Sequence, residues 1–316
     1  MSIKKKISNF LKPNYKSLNC GFMINSYNFA VAVDPARGLF GGGTGGNDVI
    51  DYIAIATVGN ATDFGDLTVG RRFISACANT TRGIWGGGLA AAATNVIDYV
   101  TIATPGNATD FGDLTVARRI LTSCASSTRG LFGGGLNGST SNVIDYITIA
   151  SAGNATDFGD LTIAKKHLAA CASTTRGVFT GGLESTTMDY VTIATTGNAS
   201  SFGSLSVDRI NLAGCSDLTT GVFGGGEIGD AVNIIDYITI ATTGNATDFG
   251  DLTIGRRYVA ACASTTRGVF GGGLDFDNNN MNTMDYITIA TSGNATDFGD
   301  LSVARYSLAG CAGSSA

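Results

Sequence analysis

A unit of about 47 residues recurs six times, and this periodicity limits the chain to few architectures. The segment NATDFGDLT begins at Asn60, Asn107, Asn154 and Asn245. It returns as NATDFGDLS at Asn294 and as the altered NASSFGSLS at Asn198. An Asp-Tyr pair stands ahead of each copy, at Asp51, Asp98, Asp145, Asp189, Asp236 and Asp285. Repeats of about 40 to 50 residues, rich in glycine, β-branched and aromatic side chains, are the sequence form of propeller blades. Length alone suggests about two domains. A single closed ring of repeats uses the same chain as one.

One unit divides into four strand-length runs bounded by turn residues: RRFISACANT (71–80), TRGIWGGG (81–88), NVIDYVTIAT (95–104) and NATDFGDLTV (107–116). Ser75, Ala76, Cys77 and Ala78 are small, which suits the crowded strand nearest a propeller axis. The expected fold is therefore all-β: a six-bladed β-propeller with four antiparallel strands per blade. The chain ends on a spare copy of the inner strand, RYSLAGCAGSS (305–315), whereas blade one opens at ARGLFGGG (36–43). The C-terminal strand is thus expected to complete blade one, with SYNFAVAVD (26–34) as the alternative. That divides the chain into an N-terminal arm, residues 1–34, and a propeller, residues 35–316. Closure leaves no exposed strand edge at the seam.

Composition narrows the function classes. Charged residues make up only 14% of the chain, with 45 glycines and 3 prolines, a profile of short strands and tight turns. Net charge is −5, and no basic stripe occurs outside Lys4, Lys5 and Lys6, which argues against nucleic acid as a partner. No apolar run approaches 18 residues, so membrane insertion is not expected. The apolar stretch after the first lysines is short and broken by Ser8, Asn9, Lys12 and Pro13, unlike a secretory signal. Cys77, Cys124, Cys171, Cys215, Cys262 and Cys311 share one register in successive repeats, and only Cys20 lies apart. Equivalent residues on different blades stand too far apart for disulfides, so the six are expected to be small buried hydrophobes. A channel-lining metal ring is the alternative.

The unit resembles the kelch repeat, which has an Arg-led inner strand, a glycine doublet, a Tyr and a Trp. Here Arg72, Gly86-Gly87-Gly88, Tyr99 and, in place of Trp, Phe111 stand at those points. The likeness covers residues 36–315 and implies the propeller fold. The run RGVFGGG…IDYITIATTGNATDFGDLT also resembles repeats of bacteriophage virion and tail-fibre-like proteins, especially marine ones. That resemblance implies a virion component in multiple copies, and the expected function is a non-enzymatic tail-fibre, receptor-binding or particle-decorating propeller. The alternatives are a structural or protein-interaction propeller of a cellular assembly and a lectin-like, carbohydrate-binding propeller.

Candidate chemistry is sparse. Six Asn-Ala-Thr/Ser sequons recur, and Gly-Asn before a strand is equally a turn signal. The DFGD aspartates, such as Asp63 and Asp66, suggest either contacts with the repeated Arg71 and Arg72, solvated charge, or calcium. His167 is the only histidine, and it lies where other repeats carry Phe73, Ile120 and Tyr258, so it is expected to pack. No catalytic set, metal site or cofactor site stands out from the repeat. The loops between strands two and three do differ, and varied loops on a constant scaffold commonly form binding surfaces. Their candidate binding residues are Asn137, Glu184, Glu227, Asp230 and the run Asp275, Phe276, Asp277, Asn278, Asn279 and Asn280. A host-surface glycan or protein is the expected ligand, with drift in unselected loops as the alternative. Lys4, Lys5, Lys6, Phe10 and Leu11 are the candidate anchor to other virion proteins. Blade four also departs, with Thr180 in the glycine-triplet register.

Overall fold

A computed structural model describes residues 36–182 and 185–314. The arm, with Lys4, Lys5, Lys6, Phe10 and Leu11, and the loop residue Glu184 lie outside the described residues. The described chain forms six four-stranded antiparallel sheets and two short loop hairpins, with no helix among the described residues. Blade 2 is typical, comprising Ser75–Ala78, Arg82–Gly86, Val96–Thr101 and Thr109–Asp113 from the axis outward. The strands are shorter than the sequence runs. Residues flanking them form the crossings between blades and the rim of the central channel.

The inner strands of successive blades contact one another around a complete ring. Closure is made by Ala309–Ser314, which pairs antiparallel with Ala36–Gly41 and so occupies the inner place of blade 1. The six blades are thus held by a hydrogen-bonded sheet that joins both ends of the described chain. Between blades lie apolar layers, each built from two neighbouring sheets. Trp85 and the equivalent Phe40, Phe132, Phe179, Phe223 and Phe270 are 0% exposed within these layers. Full burial of one such side chain stabilises by about 1.5–3 kcal/mol.

The invariant residues hold blade to blade. The aspartate of each Asp-Tyr pair is buried and receives two groups from the crossing that enters its blade. Asp145 accepts the Thr115 hydroxyl at 2.5 Å and the Arg118 guanidinium at 2.8 Å. The same latch joins Arg71 to Asp98, Lys165 to Asp189, Arg209 to Asp236, Arg256 to Asp285 and Arg305 to Asp51. Burial lowers the pKa of the five arginines, and all but Arg209 and Arg305 recover part of that through both the charge and the hydrogen bond of the aspartate. Arg71, not Arg72, is therefore the structural arginine of the repeat. The kelch-like placement of Arg72 at the head of the inner strand is corrected accordingly, because Ser75 begins that strand. Asp63 is exposed and Asp66 half-buried, and the ion pair of Arg71 goes to Asp98 instead.

The tyrosine beside each aspartate stacks edge-on against the outer-strand phenylalanine, as Tyr99 does on Phe111 at 5.8 Å. In five blades an arginine caps its other face. Arg82 lies 4.7 Å from the Tyr99 ring centroid and donates to the Ile149 carbonyl of the next blade at 2.9 Å. The sequon asparagines serve the outer edge. Asn154 Oδ1 accepts the Asp113 N–H of the preceding blade at 3.0 Å, and the other five make the same bond. These are turn residues used as clips. They partly cover outer-strand edges that would otherwise be open to pairing. The six cysteines are buried free thiols, as expected. Burial pushes the Cys77 and Cys215 thiols up to about 12.

Candidate functional site at one mouth of the channel

The inner strands begin at one face of the ring. Just ahead of them, each crossing contributes one residue to the rim of the channel: Phe73, Ile120, His167, Asn211, Tyr258 and Ser307. All six have left-handed backbone, with φ between 56° and 63°. Their peptide groups form a closed circle of hydrogen bonds. Each N–H donates to the carbonyl of the equivalent residue one blade back, at 2.8 to 3.2 Å, and Phe73 closes the circle onto Ser307 at 2.9 Å.

Left-handed backbone favours glycine, and for L residues it costs about 1–2 kcal/mol. The cost is greatest for β-branched and bulky side chains, such as Ile120, Phe73 and Tyr258. This chain has 45 glycines, yet none occupies a rim position. Only eight non-glycine described residues have positive φ, and six of them form this rim. The side chains are therefore held there against the preference of the backbone. They are also six different side chains at one register of an otherwise uniform repeat. Below them lies a uniform apolar collar of Ile74, Leu121, Leu168, Leu212, Val259 and Leu308, all buried.

The rim has an aromatic sector and a polar sector. Tyr258 packs against Phe73 at 5.8 Å, His167 at 6.2 Å and Tyr306 at 5.6 Å between ring centroids. The contact with Phe73 spans the intervening blade, where the rim residue is the small Ser307. In the polar sector, His167 Nδ1 hydrogen-bonds Asn211 Oδ1, and Asn211 Nδ2 donates to Glu227 Oε1 at 2.9 Å. Glu227 in turn forms an ion pair with Arg257, which also donates to Asn278 Oδ1. Because Asn211 gives its amide hydrogens to a carboxylate, its oxygen faces the imidazole and Nδ1 must donate. That leaves Nε2 as an acceptor. Burial lowers the His167 pKa. The Asn211 bond opposes this, Lys166 and Arg119 reinforce it, and Glu227 opposes it. Burial first, and Glu227 second, raise the Tyr258 pKa. Both rings are neutral at pH 7, and Glu227 and Arg257 compensate one another. The six rim side chains thus offer hydrogen-bonding groups and no net charge of their own, while Arg72, 5.3 Å from the Phe73 ring, and Arg119 and Lys166 stand just outside them.

A cavity of about 70 Å3 opens between these residues. The varied loops surround it, because each grows from the segment beside the rim. Leu89, Leu136, Glu227 and Leu274 bridge to Arg72, Arg119, Ile210 and Arg257 respectively. Of the loop residues singled out in the sequence, Glu227 and Asn278 enter the rim network. Asn137, Asp230, Asp277 and Asn280 are exposed on the same face. The tip of the longest loop is folded on itself, with Asn279 donating N–H and Nδ2 to Asp275 at 2.8 and 3.0 Å. Phe276 is 66% exposed beside it, more than any other large hydrophobic among the described residues. Among the described residues no group of His, Cys, Asp and Glu is arranged to hold a metal ion.

Sequence reasoning placed His167 in register with Phe73, Ile120 and Tyr258 but read the register as packing. The signal was the variety itself, in a column whose neighbours barely change. The chain matches no family profile and no curated protein. No helix among the described residues is long and apolar enough to cross a membrane.

Proposed function

We propose that this propeller is a non-enzymatic recognition protein whose ligand meets the channel mouth and the surrounding loops. The fold itself fits a structural or interaction role. One observation carries the finer reading: six unlike side chains are kept at left-handed positions in a glycine-rich chain. The rim chemistry favours a neutral glycan. Phe73 and Tyr258 offer aromatic faces to the C–H face of a sugar ring, while His167, Asn211 and Ser307 offer hydrogen bonds without net charge. The resemblance of the repeat to phage virion repeats supplies the setting, a particle-borne protein anchored through residues 1–34 that attaches to or decorates a surface. A second reading, a protein ligand, is favoured by the exposed Phe276.

An array of neutral and charged glycans, read with the labelled protein, tests the ligand class. Binding to neutral glycans supports the reading. Silence on all glycans, with capture of a host-surface protein, replaces it with the second.

A further inference from the structure

Strand two starts at the opposite face, and in five blades its first or second residue is an arginine, which in four of them follows the turn from strand one. Arg37, Arg82, Arg129, Arg176 and Arg267 each sit 4.4 to 4.7 Å from the tyrosine ring of their own blade. Each also donates to the end of the third strand in the next blade. Arg176 reaches the Ile240 and Ala241 carbonyls, both at 2.9 Å, and Arg267 reaches Ile55 and Ala56. Five copies of this receptor are thus filled in the same way, by a guanidinium between an aromatic face and backbone carbonyls.

Blade 5 breaks the pattern at three positions together. Where blades 4 and 6 read STTRG, it reads DLTTG, residues 217–221. Thr220 replaces the arginine, so among the described residues no cation lies over Tyr237 or against the Ile289 and Ala290 carbonyls of blade 6. Asp217 replaces serine and puts a carboxylate two residues from the first aspartyl-bonded turn amide, with Oδ1 accepting the Thr219 and Thr220 N–H groups at 2.8 and 2.6 Å. Leu218 is 47% exposed at φ 79°, a left-handed leucine held outward. It also borders the cavity of about 190 Å3 at this end of the channel. The changes remove a cation, add an anion and present an apolar side chain.

We propose that this turn is a docking site for a protein partner that inserts an arginine side chain. Its guanidinium takes the place of the missing resident, over Tyr237 and against the Ile289 and Ala290 carbonyls. Asp217 supplies charge complementarity and Leu218 an apolar contact. The site lies on the face away from the rim and does not depend on the glycan reading.

Titration of the full chain with acetyl-arginine amide, followed by NMR shifts of the Leu218 methyls and Tyr237 ring, tests this. Citrulline and lysine analogues are the controls. Saturable shifts are expected with arginine, with binding about tenfold weaker for citrulline, which keeps the shape and loses the charge. Thr220→Arg fills the receptor from within the chain. It should fold as the other five blades do and abolish the shifts. Equal responses to arginine and citrulline overturn the proposal, as do unchanged shifts in Thr220→Arg or no response in the wild type.

Discussion

Arg305 and Asp51 stand at opposite ends of the described chain, yet their side chains meet at 2.9 Å with both buried. Arg305 also donates to the Phe40 and Val49 carbonyls, both at 3.0 Å. The latch that joins every other blade thereby closes the ring as well. Removing one partner leaves the other charge buried without compensation, which costs about 3–5 kcal/mol. Asp51→Ala is expected to lose that much in urea titration. The pair Asp51→Leu with Arg305→Met should lose less than Asp51→Ala alone, since it leaves no orphan charge. A loss under about 1 kcal/mol in the single variant would show that the latch does not hold the ring.

Two neighbouring glycines should respond in opposite ways to the same substitution. Gly250, in the outer strand of blade 5, has φ 145°, and a β-carbon there would stand 2.5 Å from the Gly293 carbonyl oxygen of blade 6. A β-carbon on Gly293 meets nothing within 4 Å. Gly250→Ala is expected to destabilise by about 1–3 kcal/mol through overpacking and strain. Gly293→Ala should change stability by less than about 1 kcal/mol. Thermal melts of the two variants decide whether close approach of blade edges fixes the glycine of DFG.

The architecture was legible because it is written six times. Periodicity, the glycine triplets and the small inner-strand residues gave the blades, and the unmatched C-terminal strand gave the closure. The latch was harder to read. Its aspartate lies in the Asp-Tyr pair and its arginine about 27 residues upstream, and only the fold brings Arg118 to Asp145. The rim was hidden for a different reason. Phe, Ile, His, Asn, Tyr and Ser at one register resemble drift until the backbone is seen to be left-handed at all six. Sequence alone does not display φ.

His167 offers a pH test. Burial lowers its pKa in the folded protein below the unfolded value of about 6.5. The unfolded chain therefore binds a proton first as pH falls. This contribution to stability is fully present above about pH 6.5 and is lost as pH drops from there toward the folded pKa. As the only histidine, His167 gives one imidazole resonance to follow. Its NMR midpoint is expected below 6.5, and His167→Asn should remove the corresponding slope from stability measured against pH. Asparagine tolerates the left-handed backbone, so the variant tests titration rather than strain. A midpoint at or above 6.5 would contradict the half-buried, neutral imidazole.

Glycan-array binding by the wild type and by Tyr258→Gly, with a melting curve for each, tests the recognition role of the rim most directly. Glycine relieves the left-handed backbone at this position while removing the ring that joins Phe73, His167 and Tyr306. The expected result is a folded variant, with its midpoint within about 4 °C of the wild type, that has lost glycan binding. Binding that survives unchanged in the folded Tyr258→Gly protein would contradict the account.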